Sequence, residues 1–483
     1  AMMFSQASRK ASKPKLTSVA RTPRRHRRSS LPRPDTDWFG RGLASLAAFA
    51  LVAGGGLVAA APSNAAGPAQ NYIVVLKDGV VDAGAAAASQ QSAYGFATSK
   101  VYRNAVKGYS ANLTAAQAQR VQADPNVDFV TAGRTFQNPQ DPGTSATQET
   151  PFWRKRIAGT GSDVRKALDK GPSRINVNVA VIDSGIDATH PDLNVKGGVD
   201  CQSGSPVEVT PVDVMGHGTF VAGVIGARNN RLGVIGTAPG TPLWSVRVVD
   251  DAGLISEEML ICAIDWVTST HKDDDDSNDI AVANISIAGG APDTSNCGKG
   301  TDPMHYAICR SVRAGVTYAV AAGNAGEDFA NTVPATYDQV LTATAMGDFD
   351  GKSGGDAAAV CGPDDFSKYG QKDDQEAFFS NFATTSDDKA HTVAGPGVCM
   401  VSTWPGGYNV SNGTSFASPA VAGSVALCIS QKACTGSAEH VMKQYLELTK
   451  SYSKRHHDYG FDGDPIHPVG GQYYGYLTQT VSF

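Results

Sequence analysis

The run Val179-Ala180-Val181-Ile182 constrains the fold more tightly than any other part of this 483-residue chain. It is apolar at every position, so it lacks the alternation of a strand with one wet face. Such a run suits a strand covered on both sides, the usual situation in a parallel sheet. It ends in Asp183-Ser184-Gly185. Sites in open α/β sheets form beyond the carboxyl ends of strands. Asp183 is therefore placed for chemistry, although in isolation it reads equally well as a turn aspartate.

Three further stretches share the pattern of an apolar segment with one polar residue beside glycine. Met215-Gly216-His217-Gly218-Thr219-Phe220-Val221-Ala222-Gly223 puts a histidine where a helical apolar pattern begins. The positive end of a helix disfavours an imidazolium, so the ring stays neutral and able to accept a proton. Tyr318-Ala319-Val320-Ala321-Ala322-Gly323-Asn324 reads as a buried strand ending at Asn324, whose amide could donate to an oxyanion. Asn412-Gly413-Thr414-Ser415-Phe416-Ala417-Ser418-Pro419-Ala420 reads as a glycine turn, a Thr414 cap and a buried helix running to Cys428. Pro419 is expected in the first turn, where its missing N–H is not needed. Ser415 then lies at a helix N-terminus, where unpaired N–H groups and the dipole favour developing negative charge. Each stretch alone has a plain structural reading as a turn, a cap or a buried histidine. Their order, Asp, His, Asn, Ser, has no such shared explanation.

In these motifs the chain resembles the subtilisin-like serine proteases, the subtilase family, over roughly residues 150–475. The resemblance implies an α/β fold with a subtilisin-like parallel sheet flanked by helices. It implies a secreted serine endopeptidase in which Asp183 orients His217, and His217 takes the proton from Ser415. Asn324 and the Ser415 N–H would form the oxyanion hole. Ser286-Ile287-Ala288-Gly289 matches the strip that pairs with substrate backbone, and Ala321-Ala322-Gly323 matches the facing wall of the P1 pocket. Ala288 stands where glycine is usual, which points to small or medium uncharged P1 side chains; neither wall carries an acid to select a basic one. The chemistry requires no cofactor. Structural Ca²⁺ is compatible with the family, with carbonyls near Asp338 and Val340 as candidates, but Thr392 stands where one subgroup has an aspartate. The calcium ligands stay open. The aspartates 273–276 lack the alternating spacing of a calcium loop and read as a solvated turn.

The net charge of −5 is unevenly distributed. Residues 1–65 hold eleven Lys/Arg and two acids, leaving −14 for the rest. So acidic a body is a poor nucleic-acid binder. The basic segment leads into the apolar stretch Leu43 to Ala61 and then Pro62-Ser63-Asn64-Ala65-Ala66, the layout of a secretory signal over 1–65. The interruption Gly54-Gly55-Gly56 counts against a retained membrane anchor.

Residues 66–136 read as a small ferredoxin-like α+β domain. Strands are expected at 71–76, 107–112 and 127–131, an alanine-rich helix at about 81–93, and a second helix opened by the capping box Thr114 to Gln117. Tyr72-Ile73-Val74-Val75, Gly108-Tyr109 and Val127-Asp128-Phe129-Val130 resemble the inhibitory propeptide of subtilases, which implies a folding chaperone that blocks the cleft. Arg134 to Glu149 has linker composition, and self-cleavage is expected between Phe136 and Thr150. The linker then covers 137–150 and the catalytic domain 151–483. Expected partners are protein or peptide substrates and the chain's own propeptide, with the protein otherwise a monomer.

Eight cysteines, all in the catalytic region, favour disulfides in a secreted chain. Cys297 with Cys309 and Cys428 with Cys434 are the local pairings expected first, and no CxxC spacing suggests zinc. Other classes fit less well. An α/β-hydrolase needs the order Ser, Asp, His and a second glycine that Gly413-Thr414-Ser415-Phe416-Ala417 lacks. No HExxH occurs. An inactive scaffold on the same fold is the remaining rival.

Overall fold

The computed structural model describes residues 68–136, 148–160, 175–293, 297 and 300–483. The expected secretory segment and linker residues 137–147 lie outside the described residues.

A ten-stranded sheet organises the larger part of the chain. Its strands run, edge to edge, Tyr476–Leu477, Thr392–Pro396, Val340–Gly347, Thr317–Ala321, Ile280–Ile285, Asn178–Asp183, Leu243–Arg247, Val195–Asp200 and Val207–Glu208. Gln375–Glu376 adds antiparallel to Val340–Gly347. Pairing is parallel from Tyr476–Leu477 through to Val195–Asp200, and Val207–Glu208 is antiparallel. The strand order reverses at Asn178–Asp183, so a crevice opens at its carboxyl end.

That strand is apolar throughout because alternate residues feed two cores. Val179 and Val181 pack with Phe220, Phe416 and Val425, beneath the helices His217–Gly226 and Thr414–Ser430. Ala180 and Ile182 pack with Leu260, Ile264 and Ile308, beneath Glu257–Ser269 and Pro303–Ala314. Each fully buried Val or Ile contributes about 1.5–3 kcal/mol.

The N-terminal sheet has the order Thr98–Tyr102, Gly108–Leu113, Gln70–Leu76, Val127–Ala132, all antiparallel, with helices Ala83–Tyr94 and Ala115–Gln122. This is the expected ferredoxin-like arrangement. The capping box at Thr114 and Gln117 forms. Thr98–Tyr102 is a strand the sequence reading did not locate, because its mixed side chains sit mostly half-exposed. The central strand again serves two cores. Val74 and Leu76 face the domain's own helices, while Ile73 and Val75 join Tyr102 and Phe129 against the core of the larger sheet. Polar groups lock this contact. Glu258 accepts from Asn71 Nδ2 at 2.9 Å and Ser110 Oγ at 2.7 Å. The Asp265 carboxylate accepts the N–H groups of Arg103, Asn104 and Ala105 at 3.2, 2.6 and 2.6 Å.

Cys297–Cys309 and Cys428–Cys434 are bonded as expected, and Cys201–Cys262 and Cys361–Cys399 complete the set. The C-terminal tail closes a sheet edge through Tyr476–Leu477.

Arg156 is buried, pairs with Asp374 at 2.7 Å and lies 3.7 Å from Asp348. Burial of Asp348, opposed by Arg156 and aided by Asp374 and Asp373, pushes its pKa up from 3.8 to about 8. Between those values the native state holds a proton that the unfolded chain has lost, so stability falls as pH rises. In calcium-free buffer, a Ser415→Ala chain should lose about 1.4 kcal/mol per pH unit more than its Asp348→Asn counterpart between about pH 5 and 7.5. Urea midpoints at stepped pH measure this. Equal slopes would return Asp348 to an ordinary pKa.

Candidate active site

Asp183 is the last residue of its strand and His217 the first of its helix. Glycines let them meet. A Cβ on Gly218 would stand 2.0 Å from Gly185 O, and one on Gly216, whose φ is 91°, would stand 2.2 Å from the Trp404 ring. His217 Nδ1 lies 2.8 and 3.0 Å from the two Asp183 carboxylate oxygens, with both residues buried. A carboxylate only accepts, so Nδ1 carries the proton and Nε2 is the basic atom. Nε2 is buried and has no hydrogen-bond partner among the described residues.

Asp213 braces the start of this helix, which the sequence reading missed. Its carboxylate accepts the N–H groups of Met215, Gly216 and Thr219 at 3.0, 2.7 and 2.8 Å. It also accepts the hydroxyls of Ser184 and Thr219 at 2.8 and 2.5 Å. An acid just ahead of a helix start is the signal that could have found it.

The helix Thr414–Ser430 is capped by Gly413, with φ 149°, so Thr414 is its first residue and not the expected cap. Thr414 instead grips Asn324. Its N–H and hydroxyl donate to Asn324 Oδ1 at 2.8 and 2.7 Å, and its hydroxyl accepts the Gly323 N–H at 3.1 Å. Nδ2 is thereby turned toward Gly413, where a Cβ would lie 3.3 Å away. Asn324 itself is exposed in the loop beyond Thr317–Ala321, past the expected strand end.

Pro419 lies inside the helix rather than in its first turn. Lacking an N–H, it leaves the Ser415 carbonyl without a helical donor. Ser286 Oγ donates to that carbonyl at 2.6 Å, and Ser415 Oγ donates back to Ser286 O at 3.1 Å. Asn284 ties the pair to the helix, donating to Ser286 Oγ at 2.9 Å and accepting from Ser418 Oγ at 2.7 Å. Ser286 is thus buried beneath Ser415. Ser415 Oγ makes no bond to His217 in this structure, but the His217 ring packs on Phe416 at 5.1 Å.

Of the other expected wall residues, Ile287 is buried, Ala288 and Gly289 are half-buried, and Gly289–Gly290 pairs with Thr332–Val333. Ala321, Ala322 and Gly323 are buried, with Asn381 donating to Ala322 O and Gly323 O at 3.0 Å each. Thr392 Oγ1 donates to Asp388 O at 2.6 Å. Among the described residues, Asp348, Asp350 and Asp373 bring carboxylate oxygens within 4.8 Å of one another. Hard oxygens of this kind are what Ca²⁺ takes. Cys297 and Cys309 lie near His305 but are bonded to each other, so they cannot ligate.

The sequence model of the subtilase family matches residues 174–462, which include all four polar residues of the site. The chain belongs to the subtilase family. The peptidase inhibitor I9 family matches residues 71–137 of this subtilase. Subtilisin NAT of Bacillus subtilis subsp. natto and subtilisin E of Bacillus subtilis are each 34% identical to it over 296 residues, 60% of this chain and 65% of theirs. The match therefore spans just under two thirds of those relatives. The subtilisin of Bacillus pumilus is 34% identical over 288 residues, 59% of this chain and 86% of that protein. The crystal structure of a cold adapted subtilisin-like serine proteinase aligns with a TM-score of 0.48 and 22% identity, covering 68% of this chain and 98% of that one. Among the described residues no helix is long and apolar enough to cross a membrane.

Proposed function

We propose that this subtilase is a secreted serine endopeptidase made as a self-processing zymogen. The reading is carried by one juxtaposition: His217, held by Asp183 with Nε2 unbonded, stands beside Phe416 at the start of the helix that bears Ser415. Ser415 Oγ leaves Ser286 O, passes its proton to His217 Nε2 and attacks the scissile carbonyl carbon. The carbonyl electron pair moves to oxygen, and the oxyanion is met by Asn324 Nδ2 and the Ser415 N–H. The C–N bond then breaks as His217 protonates the leaving amine. Water then attacks the acyl carbon as His217 takes its proton, the C–Oγ bond breaks, and His217 returns the proton to Ser415 Oγ. Asp183 stabilises the imidazolium throughout. The chain's own side chains and backbone, with one water, perform every step.

Ser286 to Gly289 and Ala321 to Gly323 are the proposed walls of the substrate cleft, with Ala288 favouring small or medium uncharged P1 residues. Ser286 takes part through its carbonyl. The inhibitory role of the N-terminal domain is supported by Thr135–Phe136, which runs antiparallel to Ile255–Ser256. Secretion is supported by the signal-like leader and by four disulfides, which persist in oxidising compartments. The enzyme acts on proteins or peptides as a monomer.

A fluorophosphonate probe tests the reading. Matured wild type should carry one adduct, mapped to Ser415, and His217→Ala should carry none. A folded wild type that stays unlabelled would leave the inactive scaffold as the better account.

A further inference from the structure

The larger unit holds one side chain of the N-terminal domain, Arg134, in a pocket of two carboxylates and a phenol. The Arg134 guanidinium donates to Glu257 Oε1 from Nη2 at 2.6 Å and from Nε at 3.0 Å. It donates to Asp302 from Nη1 at 3.0 Å and Nη2 at 2.8 Å, and to the Tyr337 hydroxyl at 3.1 Å. The backbone is clamped too: the Arg134 N–H donates to Glu257 Oε2 at 2.8 Å, and the Glu257 N–H donates to Arg134 O at 2.8 Å.

The receptor is buried while its ligand reaches in from outside. Side-chain exposure is 0% for Glu257 and 2% for Asp302, against 22% for Arg134. Asp302 is also oriented by groups other than Arg134, whereas the Glu257 carboxylate bonds to Arg134. Tyr337 Oη donates to Asp302 Oδ2 at 2.8 Å, the His305 N–H donates to Asp302 Oδ1 at 2.9 Å, and the His305 ring stacks on Tyr337 at 4.1 Å. Two carboxylates presented in this way match the planar fork of a guanidinium and not the point charge of an ammonium. Buried acids of this kind are costly without a matching cation.

Position gives the pocket a second use. It opens on a cavity of about 280 Å³ whose wall includes Ala291 and Pro292, directly after the strip Ser286 to Gly289. Beyond Arg134 the chain pairs with Ile255–Ser256 and enters the linker in which maturation is expected. Arg134 therefore lies on the N-terminal side of the path a substrate would follow.

We propose that Glu257, Asp302 and Tyr337 form a guanidinium-selective subsite of the mature protease, filled by Arg134 in the zymogen and by an arginine N-terminal to the scissile bond in substrates. The proposal rests on the proteolytic reading above and deepens it. Specificity then resides at a charged site remote from P1, where neither wall selects charge.

Two peptides copying residues 128–152 provide the test, one with arginine at position 134 and one with citrulline, which keeps the shape and loses the charge. They are compared as substrates of protease matured from the full chain. The arginine peptide should have a KM about tenfold lower with little change in kcat, and Glu257→Gln should abolish most of that ratio. Equal KM values for the two peptides overturn the proposal. A second measurement needs neither maturation nor activity. The full chain carrying Ser415→Ala and Arg134→Ala is melted with millimolar ethylguanidinium or ethylammonium. Recovery of the lost Tm by ethylguanidinium alone supports the subsite, and equal response to the two cations overturns it. If that recovery occurs while neither peptide is cut, the proteolytic reading has failed and the guanidinium pocket stands.

Discussion

The Ser415→Ala chain, refolded in oxidising buffer, is expected to keep its full mass while the wild type splits between Phe136 and Thr150. Against a peptide substrate, kcat/KM should fall by about five orders of magnitude. The structural change is small. Ser415 Oγ makes one hydrogen bond among the described residues, to Ser286 O, and the bond from Ser286 Oγ to the Ser415 carbonyl does not depend on the side chain. Losing that single bond costs about 1 kcal/mol, so a near-normal melt beside a lost activity isolates the nucleophile. Intact mass read alongside a thermal melt separates the outcomes. If both chains split, another protease is cutting the linker. If both fold and neither splits, self-processing is wrong.

Asn324→Asp should lower kcat by about a thousandfold and leave KM within a few-fold. The substitution is nearly isosteric. Thr414 holds the Asn324 side chain through Oδ1, and an aspartate accepts the same two bonds. What changes is Nδ2: a donor is replaced by an oxygen carrying negative charge, at the point where the reaction develops a second one. A loss smaller than about tenfold would remove Asn324 from the oxyanion hole, because one such donor ordinarily contributes 10²–10³.

Residues that act through a local pattern were legible in the sequence. The unalternating Val179–Ile182 run announced its two-sided burial, and the capping box at Thr114 and Gln117 formed where spacing placed it. Gly216 and Gly218 marked the close approaches around His217. Contacts between distant segments were not legible. Cysteines separated by 12 and 6 residues were paired correctly by proximity, whereas Cys201–Cys262 and Cys361–Cys399 span 61 and 38 residues and needed the fold to bring them together. Glu257 and Glu258 are first-turn acids of the helix Glu257–Ser269, a position that any helix favours and that gives no sign that both hold the N-terminal domain. Pro419 was misplaced because a proline-tolerant first turn is the local solution. The solution adopted here uses Ser286, which is remote in sequence.

The strand Gln70–Leu76 gives Val74 and Leu76 to one core and Ile73 and Val75 to another. Once the linker is cut, these two loyalties separate. A released fragment of this size has little interior of its own, and the face that Ile73 and Val75 share with Phe129 turns to water. On the proposed zymogen reading, the domain would hold its shape while docked and become degradable once it leaves. Its hold on the protease would then work as a timer, with each departure favouring destruction of the fragment over rebinding.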